Sequence, residues 1–367
     1  MTFARRLRPW QVVGFAGLVY IAVTLARYGG DPRAFAVICP DVSQIPTGRC
    51  GYDGQFAYFI AIDPAGSAPR MDVPAYRYQR ILYPTLARVV GLGQAGLIAW
   101  TLILVNLGAL MVGTALVEII LIDFDASRWY ALAYGFFAGV MMPVRLDLTE
   151  PMAYALALGG VLSAQRGHHA SSGALLALTA LTKETALLFT VAVVVSQAIR
   201  RRFRAAFTVG LLAILPFVLW QLALKTRFGQ FGVGSGGALG TPFEIIPLRG
   251  LWSLASIDVR AFAVVALLML PMAVAPALLG LAAVGRDALR GRVDAPMLVL
   301  MLNAALVLFT PQSTFREPLG MARLTVGLVA ATLIYAAARR SRRGLNYSLL
   351  WIFTLALALN ESNLPVP

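Results

Sequence analysis

The chain of 367 residues is 59% hydrophobic and only 13% charged, with a mean hydropathy of +0.75. Soluble domains carry about 25% charged and about 45–50% apolar residues, so this composition excludes an ordinary soluble enzyme, a disordered chain and a disulfide-rich secreted domain. The net charge of +14 is spread in short basic clusters between apolar runs, which points to membrane topology and away from a nucleic-acid partner.

A helix crossing about 30 Å of hydrocarbon needs about 20 apolar residues. In chain order the candidate runs are 10–27, 97–120, 129–144, 150–165, 171–182, 185–199, 205–224, 261–284, 295–310, 324–338 and 346–360. They predict an all-α polytopic membrane protein, one transmembrane domain over 1–367 with about eleven crossings. The basic stretch before 10–27 also suits a signal peptide. No small-x-small cleavage site follows it, so a retained anchor is expected.

Several runs are short, and charge placement decides how they are read. With the N-terminus inside and the C-terminus outside, eleven crossings gather sixteen basic and five acidic residues on the cytoplasmic side, as the positive-inside bias requires. Reading 171–199 as a single crossing would send the clusters at 200–204, 286–292 and 339–343 outward. Two short helices meeting at Lys183-Glu184 are therefore expected. The stretch 129–165 would extend roughly 55 Å as one helix, so it too is read as a hairpin, with Arg145, Asp147 and Glu150 at its outer tip.

The first outer loop, 28–96, is rich in turn formers and holds Asp31, Asp41, Asp53, Asp63 and Asp72 with Arg70, Arg77 and Arg80. Within it, 56–62 and 80–92 have apolar faces at helical spacing and predict helices lying in the membrane interface. Cys39 and Cys50 are the only cysteines; on an oxidising side they would form a disulfide, and two unpaired thiols are the alternative. Asp123-Phe124-Asp125 resembles a metal-binding Asp-x-Asp, but it sits in a tight cytoplasmic turn and reads better as a turn and helix cap. His168 and His169 have no neighbouring carboxylate or cysteine in sequence, which argues against a metal there. The second outer loop, 225–260, contains a glycine run from Gly229 to Gly237. It lacks the Lys-Ser/Thr of a phosphate loop, so a flexible loop closing over substrate is expected. The third outer loop is 311–323.

What remains is a polar set on one membrane face: Asp53, Arg77, Arg80, Asp147, Glu150, Lys183, Glu184, Arg316 and Glu317. Carboxylates can serve as general bases and cations can hold a phosphate. The segment Gly51-Tyr52-Asp53-Gly54-Gln55-Phe56-Ala57-Tyr58-Phe59-Ile60-Ala61 resembles the first outer loop of GT-C superfamily glycosyltransferases. Tyr76-Arg77-Tyr78-Gln79-Arg80, Leu148-Thr149-Glu150-Pro151 and Leu181-Thr182-Lys183-Glu184-Thr185 are similar to segments of bacterial mannosyltransferase-like members, and Phe315-Arg316-Glu317-Pro318 is the one similar stretch beyond residue 200.

The resemblance implies an inverting transfer on the outer side of the inner membrane. The sugar would come from a polyprenyl-phosphate donor and pass to a glycan, lipid or protein acceptor. Asp53 matches the family's general base, with Tyr52 and Gln55 beside it in the substrate site. Arg316 and Lys183 would neutralise the departing phosphate. Arg77 and Arg80 would be further phosphate ligands or headgroup anchors, and Glu150 and Glu184 would bind sugar hydroxyls or pair with the cations. The resemblance implies a metal-variable or metal-free transfer; no cofactor is indicated, and a lone carboxylate is a thin ligand set for a divalent metal. The rival readings are a transporter or flippase of a lipid-linked or anionic substrate, and a non-catalytic assembly factor. Transporters carry ionisable residues near the bilayer midplane, where the predicted spans here are nearly charge-free.

Overall fold

The computed structural model describes residues 7–47, 50–359 and 365, and among these the chain is helical with no strand. After α1 (Pro9–Arg27) the first long loop carries α2 (Gly54–Ile62), α3 (Pro74–Tyr78) and α4 (Leu82–Val90). Then follow α5 (Ala95–Asp123), α6 (Ala138–Arg145), α7 (Glu150–Gln165), α8 (His169–Thr182), α9 (Leu187–Ile199) and α10 (Phe203–Phe228). Beyond the second loop are α11 (Arg249–Ala255), α12 (Val259–Met269), α13 (Ala275–Leu289), α14 (Ala295–Leu308), α15 (Gln312–Arg316), α16 (Pro318–Ala338) and α17 (Arg342–Ser348). A π turn joins α12 to α13. Among the described residues five stretches are long and apolar enough to cross a membrane: α1, α5, α10, the run Phe262–Leu289 and α16. The architecture is that of a helical membrane protein.

Two expected crossings are not continuous helices. The run 129–144 divides into a 3-10 turn (Arg128–Ala131), a single α turn (Leu132–Gly135) and α6. Phe137 between them is extended, and every residue of α6 is buried. Packing against α1, α5 and α16 decides the shape of this segment, overriding what its apolar composition suggests. The run 346–360 likewise becomes α17, a 3-10 stretch (Leu349–Thr354) and a last turn (Leu355–Leu359), with residue 360 outside the described residues. Trp351 anchors it. Its ring is 1% exposed, packs edge-on against Phe137 and Tyr347, and donates its indole N–H to the Met272 carbonyl at 2.8 Å.

The hairpin at Lys183-Glu184 forms. The chain is extended at Lys183 (φ −158°, ψ 122°), which ends α8. Gly173 of α8 lies against Val209 and Leu212 of α10, and Gly210 of α10 faces Val194 of α9. α8 and α9 therefore run side by side at one height along α10.

In the first loop α4 keeps the expected amphipathic form, with Leu86, Val89 and Val90 outward and Tyr83 and Ala87 inward. α2 differs from the expected interfacial helix: seven of its nine residues are buried. Gly54 makes this possible, because a Cβ there would stand 2.1 Å from the Leu146 carbonyl, so α2 begins in direct backbone contact with the turn between α6 and α7.

Charged residues gather at the two ends of α16. At its C-terminal end Arg339 bridges Asp287 (2.6 Å) and Asp294 (2.8 Å), and Arg340 meets Asp125 (2.8 Å). Arg166–Asp123 and Arg8–Glu118 pairs tie in α1, α5 and α7. The two aspartates of Asp123-Phe124-Asp125 thus serve a turn and its ion pairs. The other end of α16 carries the site.

Candidate functional site

The site is assembled from the first loop, two hairpin tips and the start of α16. Cys39 and Cys50 form a disulfide with an S–S distance of 2.02 Å. The Gln55 side chain closes the same loop from within: its oxygen accepts from the Cys39 N–H at 3.1 Å and its amide donates to the Cys50 carbonyl at 3.2 Å. Gly51, at φ +73°, then turns the chain into Tyr52-Asp53 at the start of α2. Gln55 thus borders the cavity with its polar groups committed to holding this turn.

Both oxygens of Asp53 are engaged. Oδ1 accepts from Arg77 Nη1 at 2.8 Å, and Oδ2 pairs with Arg323 Nη1 at 2.8 Å. Each guanidinium is anchored from its other edge by a second carboxylate. Arg77 donates Nε and Nη2 to Asp72, both at 2.7 Å, and lies 4.0 Å under the Phe56 ring. Arg323 donates Nε to Glu150 Oε1 at 2.7 Å and Nη1 to the Tyr52 hydroxyl at 3.2 Å. Tyr52 in turn donates to Glu317. Arg80 follows the same scheme, with Nε and Nη2 on Glu184 at 3.0 and 2.6 Å and Nη2 also on the Tyr76 hydroxyl at 2.7 Å. Lys183 Nζ joins Arg323 on Glu150 Oε1 at 2.7 Å. Arg77 and Arg80 are therefore part of the cavity wall.

Burial alone would push the Asp53 carboxyl up, but the guanidinium groups of Arg77, Arg323 and Arg80 outweigh it and hold the group well below the usual carboxylate range. Asp72 is held down in the same way, with Arg77 overcoming the effect of burial.

These residues border a cavity of about 700 Å³, a volume within the usual range for small-molecule sites. One side is formed by Tyr52, Asp53, Arg77 and Arg80, and the floor by Lys183 and Glu184. Arg316, Glu317 and Arg323 form another side, and 233–243 of the glycine-rich loop lies across it. That loop is pinned where Ala238 N–H donates to Asp72 Oδ2 at 3.1 Å and where Gln221 accepts from Gly232 and Val233. Arg316 is exposed and, among the described residues, is the cation of this cavity with no carboxylate partner. Beneath Asp53 a second pocket of about 30 Å³, the size of a water, is bordered by Asp147, Arg77, Arg80 and Arg323.

All nine residues named from sequence as catalytic or substrate-binding border the main cavity, except Glu150, which is fully buried behind Arg323 and Lys183. Sequence reasoning missed Arg323 and Asp72. The signal for Arg323 was present: Glu317-Pro318 is a helix start with proline at the first position, which places Arg323 inside an apolar helix, where a charge is rarely idle. Asp72 has no such signature; only the fold brings it to Arg77. No cluster of three or more His, Cys, Asp or Glu side chains suited to a metal occurs among the described residues. Comparisons with protein-family models, curated proteins and solved structures found no match to this chain.

Proposed function

We propose that the protein is an inverting glycosyltransferase of the inner (cytoplasmic) membrane that takes a sugar from a polyprenyl-phosphate carrier on the extracytoplasmic side and passes it to an envelope glycan, lipid or protein hydroxyl. The N-terminus and the arginine-rich end of α16 would face the cytoplasm. The observation that carries this reading is the meeting of Asp53 with anchored guanidinium groups and the unpaired Arg316 around one large cavity, at the end of the bundle away from the basic clusters. The resemblance of the Tyr52-Asp53 segment to GT-C glycosyltransferases supports the same assignment.

In this scheme Asp53 accepts the acceptor hydroxyl's proton as that oxygen attacks the anomeric carbon. The bond from that carbon to the phosphate oxygen breaks, and the electron pair leaves with the polyprenyl phosphate. Arg316, Arg77 and Arg323 stabilise the growing phosphate charge, the kind of preorganised electrostatic contribution that dominates many group transfers. Lys183, held on Glu150, acts by position and field.

Purified protein in liposomes loaded with polyprenyl-phosphate sugars tests the proposal, with water as surrogate acceptor. Wild type should release or transfer sugar, and Asp53→Asn should lose about a hundredfold or more, the scale of removing a general base. Passage of intact donor across the bilayer with no sugar released would favour transport instead.

A further inference from the structure

Asp53 makes no ion pair with a free-standing cation. Arg77 and Arg323 each spend one edge on an anchoring carboxylate, Asp72 or Glu150, and turn Nη1 to Asp53 on the cavity wall, Arg323 Nη1 also reaching the Tyr52 hydroxyl. The anchors fix the two guanidiniums in place whatever the Nη1 groups bind. A phosphodiester carries one negative charge, as Asp53 does, and can present its two non-bridging oxygens to both Nη1 groups at once, so the two anions compete for the same donors.

We propose that Arg77 Nη1 and Arg323 Nη1 form an exchange site in which a phosphate group displaces Asp53, so that the anion's arrival frees the carboxylate. This rests on the glycosyltransferase reading and deepens it. Arg323 becomes a phosphate ligand, Asp72 and Glu150 become positioning residues, and the proposed base is available only beside a bound phosphate. Asp53 is then a competitor of the donor, and its side chain weakens phosphate binding.

The test is equilibrium binding of undecaprenyl phosphate to purified wild type, Asp53→Asn and Asp72→Asn in nanodiscs. Undecaprenol and inorganic phosphate are the parallel probes that separate tail from headgroup. The expected result is binding about tenfold tighter for Asp53→Asn, a change of about 1.4 kcal/mol, and weaker than wild type for Asp72→Asn, because Arg77 loses its anchor. If both variants bind more tightly alike, loss of negative charge explains the gain and the exchange is overturned. It is also overturned if wild type binds and Asp53→Asn binds no tighter. If none of the three binds the lipid phosphate, the glycosyltransferase reading falls with it. Thermal melting confirms folding, and Asp53→Ser replaces the Asn variant if that one fails to fold.

Discussion

At Asp53 a single carboxylate neutralises parts of two guanidiniums that are each also held elsewhere. Its low proton affinity is linked to stability. The folded carboxyl binds its proton less readily than the unfolded one, whose reference lies near about 3.9. The pair therefore stabilises the protein fully above that value and loses its contribution as pH falls below it toward the folded pKa. At neutral pH Asp53→Asn should be less stable by about 1–3 kcal/mol, less than for a wholly buried pair because both arginines keep a carboxylate. The gap between the variant and wild type should narrow below about pH 4, which melting curves in detergent across pH 3–7 will read. At this scale the sequence disclosed the chemistry of the site but not its wiring. Tyr52, Asp53, Arg77, Arg80 and Arg316 were visible as polar residues between apolar runs. That Glu150 would spend one oxygen on both Lys183 and Arg323 depends on helices far apart in the chain.

Among the elements, the junction between α2 and the α6–α7 turn matters most, because it sets Asp53 beside the helix bundle. Gly54→Ala should force α2 away from the Leu146 carbonyl, only 2.1 Å from the added Cβ. A loss of about 1–3 kcal/mol is expected, typical of overpacking a tight contact. Gly96→Ala, where nothing lies within 4 Å, should be neutral or slightly stabilising, and thermal melting of both variants makes the comparison. Helix limits were legible where an apolar run is bounded by a strong signal. The run 150–165 coincides with α7, and Lys183-Glu184 ends α8 as expected. The runs 129–144 and 346–360 read as single helices in sequence and are broken in the structure, because apolar composition does not report the packing that bends the chain. Phe137 and Trp351 are buried against each other, while Leu349, Leu350 and Phe353 stay exposed.

For the whole molecule, the two charged ends of α16 give the proposed topology a direct check. Cysteine placed at Gly236, on the loop over the cavity, should react with a membrane-impermeant maleimide in intact spheroplasts. Cysteine at Arg202, between α9 and α10, should react only after permeabilisation. The reverse pattern would turn the protein over and place the cavity in the cytoplasm. Composition alone disclosed the class of molecule, since an apolar chain this long has no soluble fold to adopt. The gathering of distant loops into one cavity was not written in any local stretch.

The shortness of α8 has a consequence for any ligand with a lipid tail. Its 14 residues rise about 21 Å, against about 30 Å of hydrocarbon, so the proposed topology, with His169 at one surface, would put Lys183 roughly 9 Å beneath the other. In the proposed topology the floor of the cavity would then be a crater in the apolar layer. A polar headgroup received there would descend to meet the protein while its chain stayed among the acyl tails, sparing the extraction penalty of about 0.8 kcal/mol for each methylene drawn into water.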